Sequence, residues 1–227
     1  MKILFVHGAL VRDAGWWWRR MVEPLKQHGL ETSAVELPSC DGKLSDDLYA
    51  DTDAVRAAIR EAHDAVILLG HSYGATVITD AAAGERAVEH LVYLAAMIPD
   101  TGDSLASIGS GPAPWVRVTE DGYVELLADQ LDALFLQDCD QEAKDGAHQR
   151  IVRQSALAFS QSVRAAAWRS IPSTYIVCTE DLAIPQETQR LMAQKTGAII
   201  ELSTGHHPFL SNPSALAEAL ATIAQYP

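Results

Sequence analysis

The residues with the clearest chemical potential form the sequence GHSYG at positions 70 to 74. An apolar, β-branched run precedes it, and an alanine-rich helical stretch follows. A serine at the apex of a sharp strand-to-helix turn presents its hydroxyl in a strained backbone conformation, and the flanking glycines let strand and helix approach closely. The pattern therefore predicts that Ser72 is a nucleophile. The alternative is a serine that only caps the helix.

A serine hydroxyl needs a base to remove its proton and a carboxylate to orient that base. Asp181 follows a strand-like run and precedes a helix start, and His206 follows the next strand-like run in the same way. We therefore expect Asp181 to be the acid, with Glu180 and Asp100 as competitors. We expect His206 to be the base, with His207 as its competitor.

The reaction also requires two donors for the oxyanion that forms when serine attacks a carbonyl. The backbone N–H of Tyr73 lies at the positive end of its helix and can supply one of them. The loop after the first apolar run can supply the other, which we assign to the N–H of Ala9, although His7-Gly8 could be an ordinary turn. His7 and His71 are interpreted as packing or loop-bridging residues.

The elements that must position these residues alternate between strands and helices. Near-continuous apolar runs indicate strands that are covered on both faces, and helical stripes lie between them. This order predicts an α/β fold with a doubly wound, mainly parallel sheet of about six strands. The strands are expected at Lys2–Val6, Thr32–Leu37, Ala65–Leu69, His90–Leu94, Thr174–Cys178 and Ala198–Leu202.

The repeat breaks once, after the fourth strand, where helical stripes occur without a convincing buried strand. We expect residues 1–100 and 171–227 to form the core, and residues 101–170 to form a helical cap inserted at the sheet edge where ligands bind. Its apolar side chains could line a pocket, although we expect most of them to be core residues. They are Pro112, Pro114, Trp115, Leu134, Phe135, Phe159 and Trp168. The residues expected to contact substrate are Leu10, Trp115, Phe135, Phe159 and His207.

Composition narrows the class of protein. The 227 residues can bury one substantial core, and a formal net charge of −13 argues against nucleic-acid and anionic-membrane partners. The three cysteines have no disulfide or metal-ligand spacing. We expect no metal and no cofactor.

Because no leader-like or membrane-spanning run is evident, we expect a cytoplasmic protein.

These motifs together resemble the α/β-hydrolase superfamily over essentially the whole chain, and most closely its small esterase branch. That branch includes plant methylesterases, hydroxynitrile lyases and compact bacterial esterases. The resemblance implies Ser72 as nucleophile, Asp181 as acid, His206 as base, and Ala9 and Tyr73 as oxyanion donors. The matching segments are VHGA (6 to 9), GWWW (15 to 18), GHSYG (70 to 74), CTEDLAIP (178 to 185) and GHHPFLSNP (205 to 213).

Two positions depart from the lyases of this branch. The hydroxynitrile lyases typically place Thr or Asn where this chain has Gly8, and many of them place Lys where this chain has His207. Extra residues in Leu10 to Ala14 also separate the chain from the plant members. The resemblance thus favours hydrolysis of carboxylic esters of small to medium apolar substrates through an acyl-enzyme. The expected partners are a small-molecule ester and water, in a monomer or homodimer.

Two other classes of function stay open. The first is another reaction on the same fold, which could be lactone or amide hydrolysis, C–C bond cleavage or acyl transfer to an alcohol, with lactone hydrolysis as the nearest rival. The second is a non-catalytic small-molecule binding protein or receptor that uses the same pocket.

A histidine base predicts a pH dependence of the reaction. Histidine side chains ordinarily titrate near pH 6.5, and a protonated His206 cannot accept the proton of Ser72. We therefore expect kcat/KM for an activated aryl ester to fall on acidification. A flat pH–rate profile between about pH 5 and 8 would contradict a histidine base.

Overall fold

The computed structural model describes residues 1–40, 43–109, 113–127 and 129–225. Within these ranges the strands form a six-stranded parallel sheet and a three-stranded antiparallel sheet. In chain order they are β1 (Lys2–Val6), β2 (Glu31–Val35), β3 (Val66–His71), β4 (Val88–Leu94), β5 (Val116–Val118), β6 (Tyr123–Leu126), β7 (Gln154–Ser155), β8 (Ser173–Cys178) and β9 (Ala198–Leu202).

The helices of the described ranges vary from single turns to four turns. In chain order they are α1 (Ala14–Gln27), α2 (Leu48–Glu61), α3 (Tyr73–Ala81), α4 (Leu105–Ile108), α5 (Gln141–His148), α6 (Leu157–Ser160), α7 (Gln186–Ala193), α8 (Pro208–Ser211) and α9 (Pro213–Gln225). A π-helical turn covers Leu131–Phe135. None of the described helices has the length and apolar character needed to cross a bilayer.

The central sheet has the strand order β2-β1-β3-β4-β8-β9. The chain first moves outward from β1 to β2 and then continues on the other side of β1 with β3. The switch point between β1 and β3 is where ligands bind in open α/β sheets, at the carboxyl ends of the strands. The prediction of a doubly wound parallel sheet is confirmed, and the predicted strand ends differ from the observed ones by at most two residues.

Alternate residues of the central strands belong to two separate hydrophobic cores. In β1, Leu4 and Val6 pack with side chains of α2 and α3, whereas Ile3 and Phe5 pack with those of α1 and α9. Because both faces are covered, each strand is apolar at nearly every position. This explains the continuous apolar runs in the sequence.

The chain between β4 and β8 contains both helices and strands. It holds the short helices α4, α5 and α6, and β5, β6 and β7 form an antiparallel sheet that the sequence analysis missed. These strands are two to four residues long, and Arg117 and Val118 of β5 are exposed. They therefore lack the buried apolar run that reveals a core strand. The expectation of helices alone is corrected. The division into core and cap stays a prediction.

Two glycines permit the close approach of β3 and α3 to their neighbours. A Cβ atom on Gly70 would lie 2.7 Å from the backbone N of Ala75. A Cβ atom on Gly74 would lie 2.4 Å from the carbonyl oxygen of Val6 and 2.6 Å from that of His7. All of these neighbours are backbone atoms, which cannot rotate away. The glycines of the motif are therefore required by packing.

We expect Gly74→Ala to lower the free energy of unfolding by about 3 kcal/mol, because the methyl group would push α3 away from β1. Gly15→Ala is the matched control, since a Cβ atom there meets nothing within 4 Å. It should raise stability by about 0.5 kcal/mol through better helix propensity. Urea denaturation of both variants measures the difference. Equal stabilities would contradict this account of Gly74.

Candidate active site

Ser72 joins the end of β3 to the start of α3 in a strained conformation. Its backbone has φ 52° and ψ −119°, a conformation that residues other than glycine rarely adopt. The Ser72 side chain makes no capping hydrogen bond to α3. A capping serine would use its hydroxyl in that way and would keep extended dihedral angles. The geometry therefore speaks against the capping interpretation.

His206 and Asp181 are joined by a buried hydrogen bond. His206 Nδ1–H donates to Asp181 Oδ2 at 2.7 Å, and the two residues are only 2% and 5% exposed. Asp181 Oδ1 also accepts from the backbone N–H groups of Ala183 and Ile184, at 2.8 and 3.0 Å. Because an ionised carboxylate only accepts, Nδ1 of His206 must carry the proton. Its Nε2 is then left with a free lone pair.

The competing acids lie elsewhere. Glu180 is exposed, and its backbone carbonyl accepts a hydrogen bond from Gln137 Nε2 at 2.9 Å. Asp100 accepts hydrogen bonds from the Arg169 guanidinium, which lower the pKa of Asp100 to about 2. Neither carboxylate contacts the His206 ring among the described contacts. The structure thus separates Asp181 from both competitors.

Ser72 and His206 line the same cavity. Within the described part of the chain, no direct hydrogen bond joins Ser72 Oγ to His206 Nε2. Such contacts are often long in ligand-free enzymes and tighten when substrate binds. The structure therefore brings acid and base into contact and places the serine in the same cavity wall.

The other three histidines of the site are held neutral by burial. His7 Nδ1–H donates to Gly8 O at 2.8 Å, and His7 Nε2 accepts from the Leu37 N–H at 3.2 Å. His71 Nε2–H donates to the backbone carbonyl of His206 at 2.9 Å. His207 Nδ1–H donates to the backbone carbonyl of Phe135 at 2.8 Å.

Each of these histidines therefore bridges backbone segments, as expected for His7 and His71. Burial lowers the pKa of His7 to about 4 and that of His207 to about 3, and it lowers the pKa of His71 well below its usual value. A group that resists protonation in this way is a poor proton acceptor. His207 is thus a weaker candidate for the base than His206.

These lowered pKa values predict acid sensitivity of the fold. Below about pH 6.5 the unfolded chain binds protons at His7, His71 and His207, whereas the folded protein does not, so stability is lost as the pH falls. Between about pH 6 and pH 4, each such histidine should lower the free energy of unfolding by about 1.4 kcal/mol per pH unit.

Urea denaturation across this range measures the slope. His207→Asn keeps an N–H group that can donate to the Phe135 carbonyl but removes the titrating ring. Its slope should be smaller than that of the wild type by about 1.4 kcal/mol per pH unit. Identical slopes would show that His207 does not resist protonation.

The predicted oxyanion donors border Ser72. A Cβ atom on Gly8 would lie 3.3 Å from Ser72 Cβ, so the loop after β1 lies directly against the serine. The peptide between Gly8 and Ala9 is trans, and its carbonyl accepts from His7, so the Ala9 N–H points the opposite way. Tyr73 is the first residue of α3, where backbone N–H groups have no partner within the helix.

The cavity has a volume of about 1030 Å³ and is lined mainly by apolar side chains. Its described lining residues include no Asp, Glu, Lys or Arg. All of the residues expected to contact substrate line it, namely Leu10, Trp115, Phe135, Phe159 and His207. Pro114 lines it too, whereas Pro112 lies outside the described residues.

Two of the apolar side chains considered for the lining lie elsewhere. Leu134 and Trp168 do not belong to the described lining, and Trp168 instead donates its Nε1–H to the carbonyl of Pro99 at 2.9 Å. The sequence analysis also missed lining residues contributed by other elements. These are, among others, Met97, Leu105, Ile184, Leu191 and Met192. Apolar residues on separate loops and helices carry no shared sequence signal.

The described residues contain no group of three or more His, Cys, Asp or Glu side chains arranged to hold a metal ion. Cys40, Cys139 and Cys178 are buried free thiols. Burial raises the pKa of Cys40 to about 12. These thiols therefore have little thiolate character at neutral pH.

Comparison with known proteins identifies the class. Residues 3–219 match the model of the alpha/beta hydrolase family. Because this match covers nearly the whole chain, the protein belongs to that family. The strained serine turn and the buried acid–histidine pair agree with this membership.

Three relatives are informative. An α/β hydrolase of Aspergillus novofumigatus is 32% identical over 98% of this chain and 96% of its own length. Methylesterase 8 of Arabidopsis thaliana is 25% identical over 97% of this chain and 88% of its own. The crystal structure of a pyrethroid hydrolase from Sphingobium faniae superimposes with a TM-score of 0.87 at 28% identity, covering 100% of this chain and 98% of that one. The resemblance to the small esterase branch is confirmed.

Proposed function

We propose that this protein is a serine hydrolase that cleaves uncharged, largely apolar carboxylic esters through an acyl-enzyme. The observation that carries the proposal is the buried hydrogen bond between His206 Nδ1 and Asp181 Oδ2, at 2.7 Å, beside a serine in a strained turn. This bond orients the imidazole and stabilises its cation. The ester hydrolases among the relatives support the same reaction.

In the first half of the reaction, Ser72 Oγ attacks the ester carbonyl carbon while His206 Nε2 accepts the hydroxyl proton. The carbonyl oxygen becomes an oxyanion, which the N–H groups of Ala9 and Tyr73 stabilise. When the intermediate collapses, the bond to the alcohol oxygen breaks, and His206 returns the proton to the leaving alcohol.

In the second half, water replaces the alcohol. His206 accepts a proton from the water as its oxygen attacks the acyl carbon, and a second oxyanion forms. Collapse of this intermediate releases the carboxylic acid and returns the proton to Ser72 Oγ. Asp181 keeps its charge and its hydrogen bond to His206 throughout.

The proposed substrate follows from the cavity. A volume of about 1030 Å³ suits a ligand of drug-like size, which extends the expectation of small to medium substrates. The described lining residues include no Asp, Glu, Lys or Arg, so they do not compensate the desolvation of a charged substrate. We therefore propose an ester whose acyl and alcohol groups are both uncharged.

We further propose that residues 101–170 act as a cap over Ser72. Trp115, Phe135 and Phe159 of this segment line the same cavity as the serine, which supports the proposal. A cap of this kind excludes water from the reacting carbonyl. The cytoplasmic location and the assembly as monomer or homodimer stay predictions.

Labelling with a fluorophosphonate probe tests the proposal. We expect intact-mass analysis to show one adduct, peptide mapping to locate it on Ser72, and Ser72→Ala to show none. A panel of aryl esters with neutral and carboxylate-bearing acyl groups, together with a lactone of matched size, then defines the reaction. Labelling without turnover of any panel member would favour a binding protein. Faster turnover of the lactone would favour a lactonase.

A further inference from the structure

A continuous chain of buried hydrogen bonds connects the inserted segment to both proposed oxyanion donors. We propose that Gln154, on β7 of that segment, is a positioning residue for the oxyanion hole. It acts directly on the Ala9-Leu10 turn and, through Ser39 and Asp51, on Tyr73. The inference rests on the proposed function, because Ala9 and Tyr73 are the donors assigned there.

The first half of the chain runs from the loop after β1 to the turn after β2. The backbone N–H of Leu10 donates to Gln154 Oε1 at 2.9 Å. Gln154 Nε2 donates to Ser39 Oγ at 2.8 Å. Gln154 and Ser39 have no exposed surface, and Leu10 is 6% exposed. Water therefore cannot replace either partner without a rearrangement.

The second half ends on a carboxylate. Ser39 donates to Asp51 through both its hydroxyl, to Oδ2 at 2.6 Å, and its backbone N–H, to Oδ1 at 2.9 Å. The Tyr73 hydroxyl donates to Asp51 Oδ2 at 2.6 Å. Burial raises the pKa of Asp51 to about 6, so the carboxylate is mostly ionised at neutral pH and can accept from all three donors.

The direction of these bonds leaves a single arrangement. Because Asp51 only accepts, the Ser39 hydroxyl must donate to it, and the lone pair of that hydroxyl must receive the Gln154 amide. Gln154 Oε1 therefore faces Leu10. A fully satisfied buried network of this kind holds its members in one geometry.

The turn that Gln154 grips needs external support. Leu10 has a φ of 64°, which is energetically costly for any residue other than glycine. The same segment also grips the other side of the turn, because the Val152 N–H donates to the Leu10 carbonyl at 2.8 Å. Two bonds from one segment thus hold the peptide before Leu10, which joins it to Ala9, and the peptide after Leu10. Oxyanion donors must lie within 2.7 to 3.1 Å of the developing charge, so small displacements of Ala9 reduce catalysis.

The other end of the network fixes the second donor. Tyr73 is the first residue of α3, and its ring is 1% exposed. Its hydroxyl bond to Asp51, on α2, ties the start of α3 to the neighbouring helix. The two donors, which lie on different loops, are therefore joined through one set of side chains. Sequence spacing gives no hint of this link, because Gln154 lies 144 positions from Leu10.

Gln154→Met tests the inference, because methionine has a similar volume but neither accepts from Leu10 nor donates to Ser39. We expect kcat for an activated aryl ester to fall about 10- to 100-fold with KM changed less than about threefold, since an oxyanion contact acts in the transition state. Ser39→Ala removes only one oxygen atom, and it is the test variant to use if Gln154→Met folds poorly. It should lower kcat by about three- to tenfold.

An aryl trifluoromethyl ketone supplies a second readout, since Ser72 adds to it and leaves an oxyanion in the hole. Its inhibition constant should rise in each variant by the same factor by which kcat/KM falls. Ser155→Ala is the matched control. It removes a buried hydroxyl on β7 that donates to the Leu44 carbonyl at 3.0 Å and, among the described contacts, makes no bond to the turn. Its kcat should stay within about twofold of the wild type.

A rise in KM at constant kcat, an unchanged inhibition constant, or an equal loss in Ser155→Ala would overturn the positioning role of Gln154. These outcomes would leave the proposed hydrolase intact. If the wild-type protein neither reacts with a fluorophosphonate nor hydrolyses any ester, the proposed function fails, and this inference fails with it.

Discussion

Ser72→Ala is expected to lower kcat for an activated aryl ester by about 10⁴- to 10⁶-fold, because the substitution removes the hydroxyl proposed to form the acyl-enzyme. The thermal stability should change little, since the Ser72 side chain makes no capping bond to α3. Steady-state kinetics and a thermal melt measure the two effects on the same preparation. Loss of activity with retained stability identifies a reacting group.

Ser160→Ala is the matched control for this experiment. Ser160 lines the same cavity, but it lies in α6 with its hydroxyl near the Leu157 carbonyl. Its activity should stay within about twofold of the wild type. If Ser72→Ala retains the parent rate, or if Ser160→Ala loses it, the nucleophile has been assigned to the wrong serine.

The strained backbone at Ser72 predicts that a glycine substitution at this position raises the stability of the fold. A backbone with φ 52° and ψ −119° suits glycine, so Ser72→Gly should raise the free energy of unfolding by about 1 kcal/mol while abolishing turnover. Urea denaturation against Ser72→Ala isolates this backbone effect. A gain would indicate that stability is sacrificed at this turn to present the hydroxyl.

Local patterns explain why the central sheet could be predicted. Strands that are buried on both faces consist of continuous apolar residues, so β1 was located to the residue. The edge strand β9 was also located to the residue, because its sequence AIIEL is mostly apolar although it is partly exposed. The antiparallel strands were missed for the opposite reason. Gln154 and Ser155 of β7 are polar, and their burial depends on partners from distant parts of the chain.

The same distinction applies to the candidate site. Ser72, Asp181 and His206 each follow a strand of the central sheet, so the strand pattern and the chain order were enough to propose them. The network of Gln154, Ser39 and Asp51 was not anticipated. Each of these residues is an ordinary polar side chain in the sequence, and only the fold reveals that they bond to one another.

Asp181→Asn is expected to lower kcat by about 10⁴-fold with little change in KM, because the substitution reverses the hydrogen-bonding pattern at His206. Asp181 Oδ1 accepts two backbone N–H groups, from Ala183 and Ile184. The oxygen of the new amide must occupy that position, since an NH₂ group there would face two donors. Its NH₂ group then replaces Oδ2 and points at His206 Nδ1.

The imidazole can meet this donor only by moving its own proton to Nε2. In that tautomer Nε2 cannot accept the proton of Ser72, and the base is lost. The new NH₂ group would also face Gln189 Nε2, which donates to Oδ2 in the wild type, and Gln189 cannot avoid this clash of two donors by rotating its amide. Its Oε1 accepts from the Cys178 N–H at 2.9 Å, and its Nε2 donates to the Ile184 carbonyl at 2.7 Å and to Asp181 Oδ2 at 2.9 Å. We therefore also expect a loss of about 1 to 3 kcal/mol in the free energy of unfolding.

Glu180→Gln and Asp100→Asn are the controls, because they neutralise the two carboxylates that compete for the role of acid. Glu180 is exposed and Asp100 is paired with Arg169, so both variants should keep kcat within about twofold of the wild type. Kinetics measured below the melting temperature of the least stable variant compare all three. A large loss in either control, with Asp181→Asn unaffected, would move the acid to another residue. Asp181 would then not be the residue that fixes the position of the proton on His206.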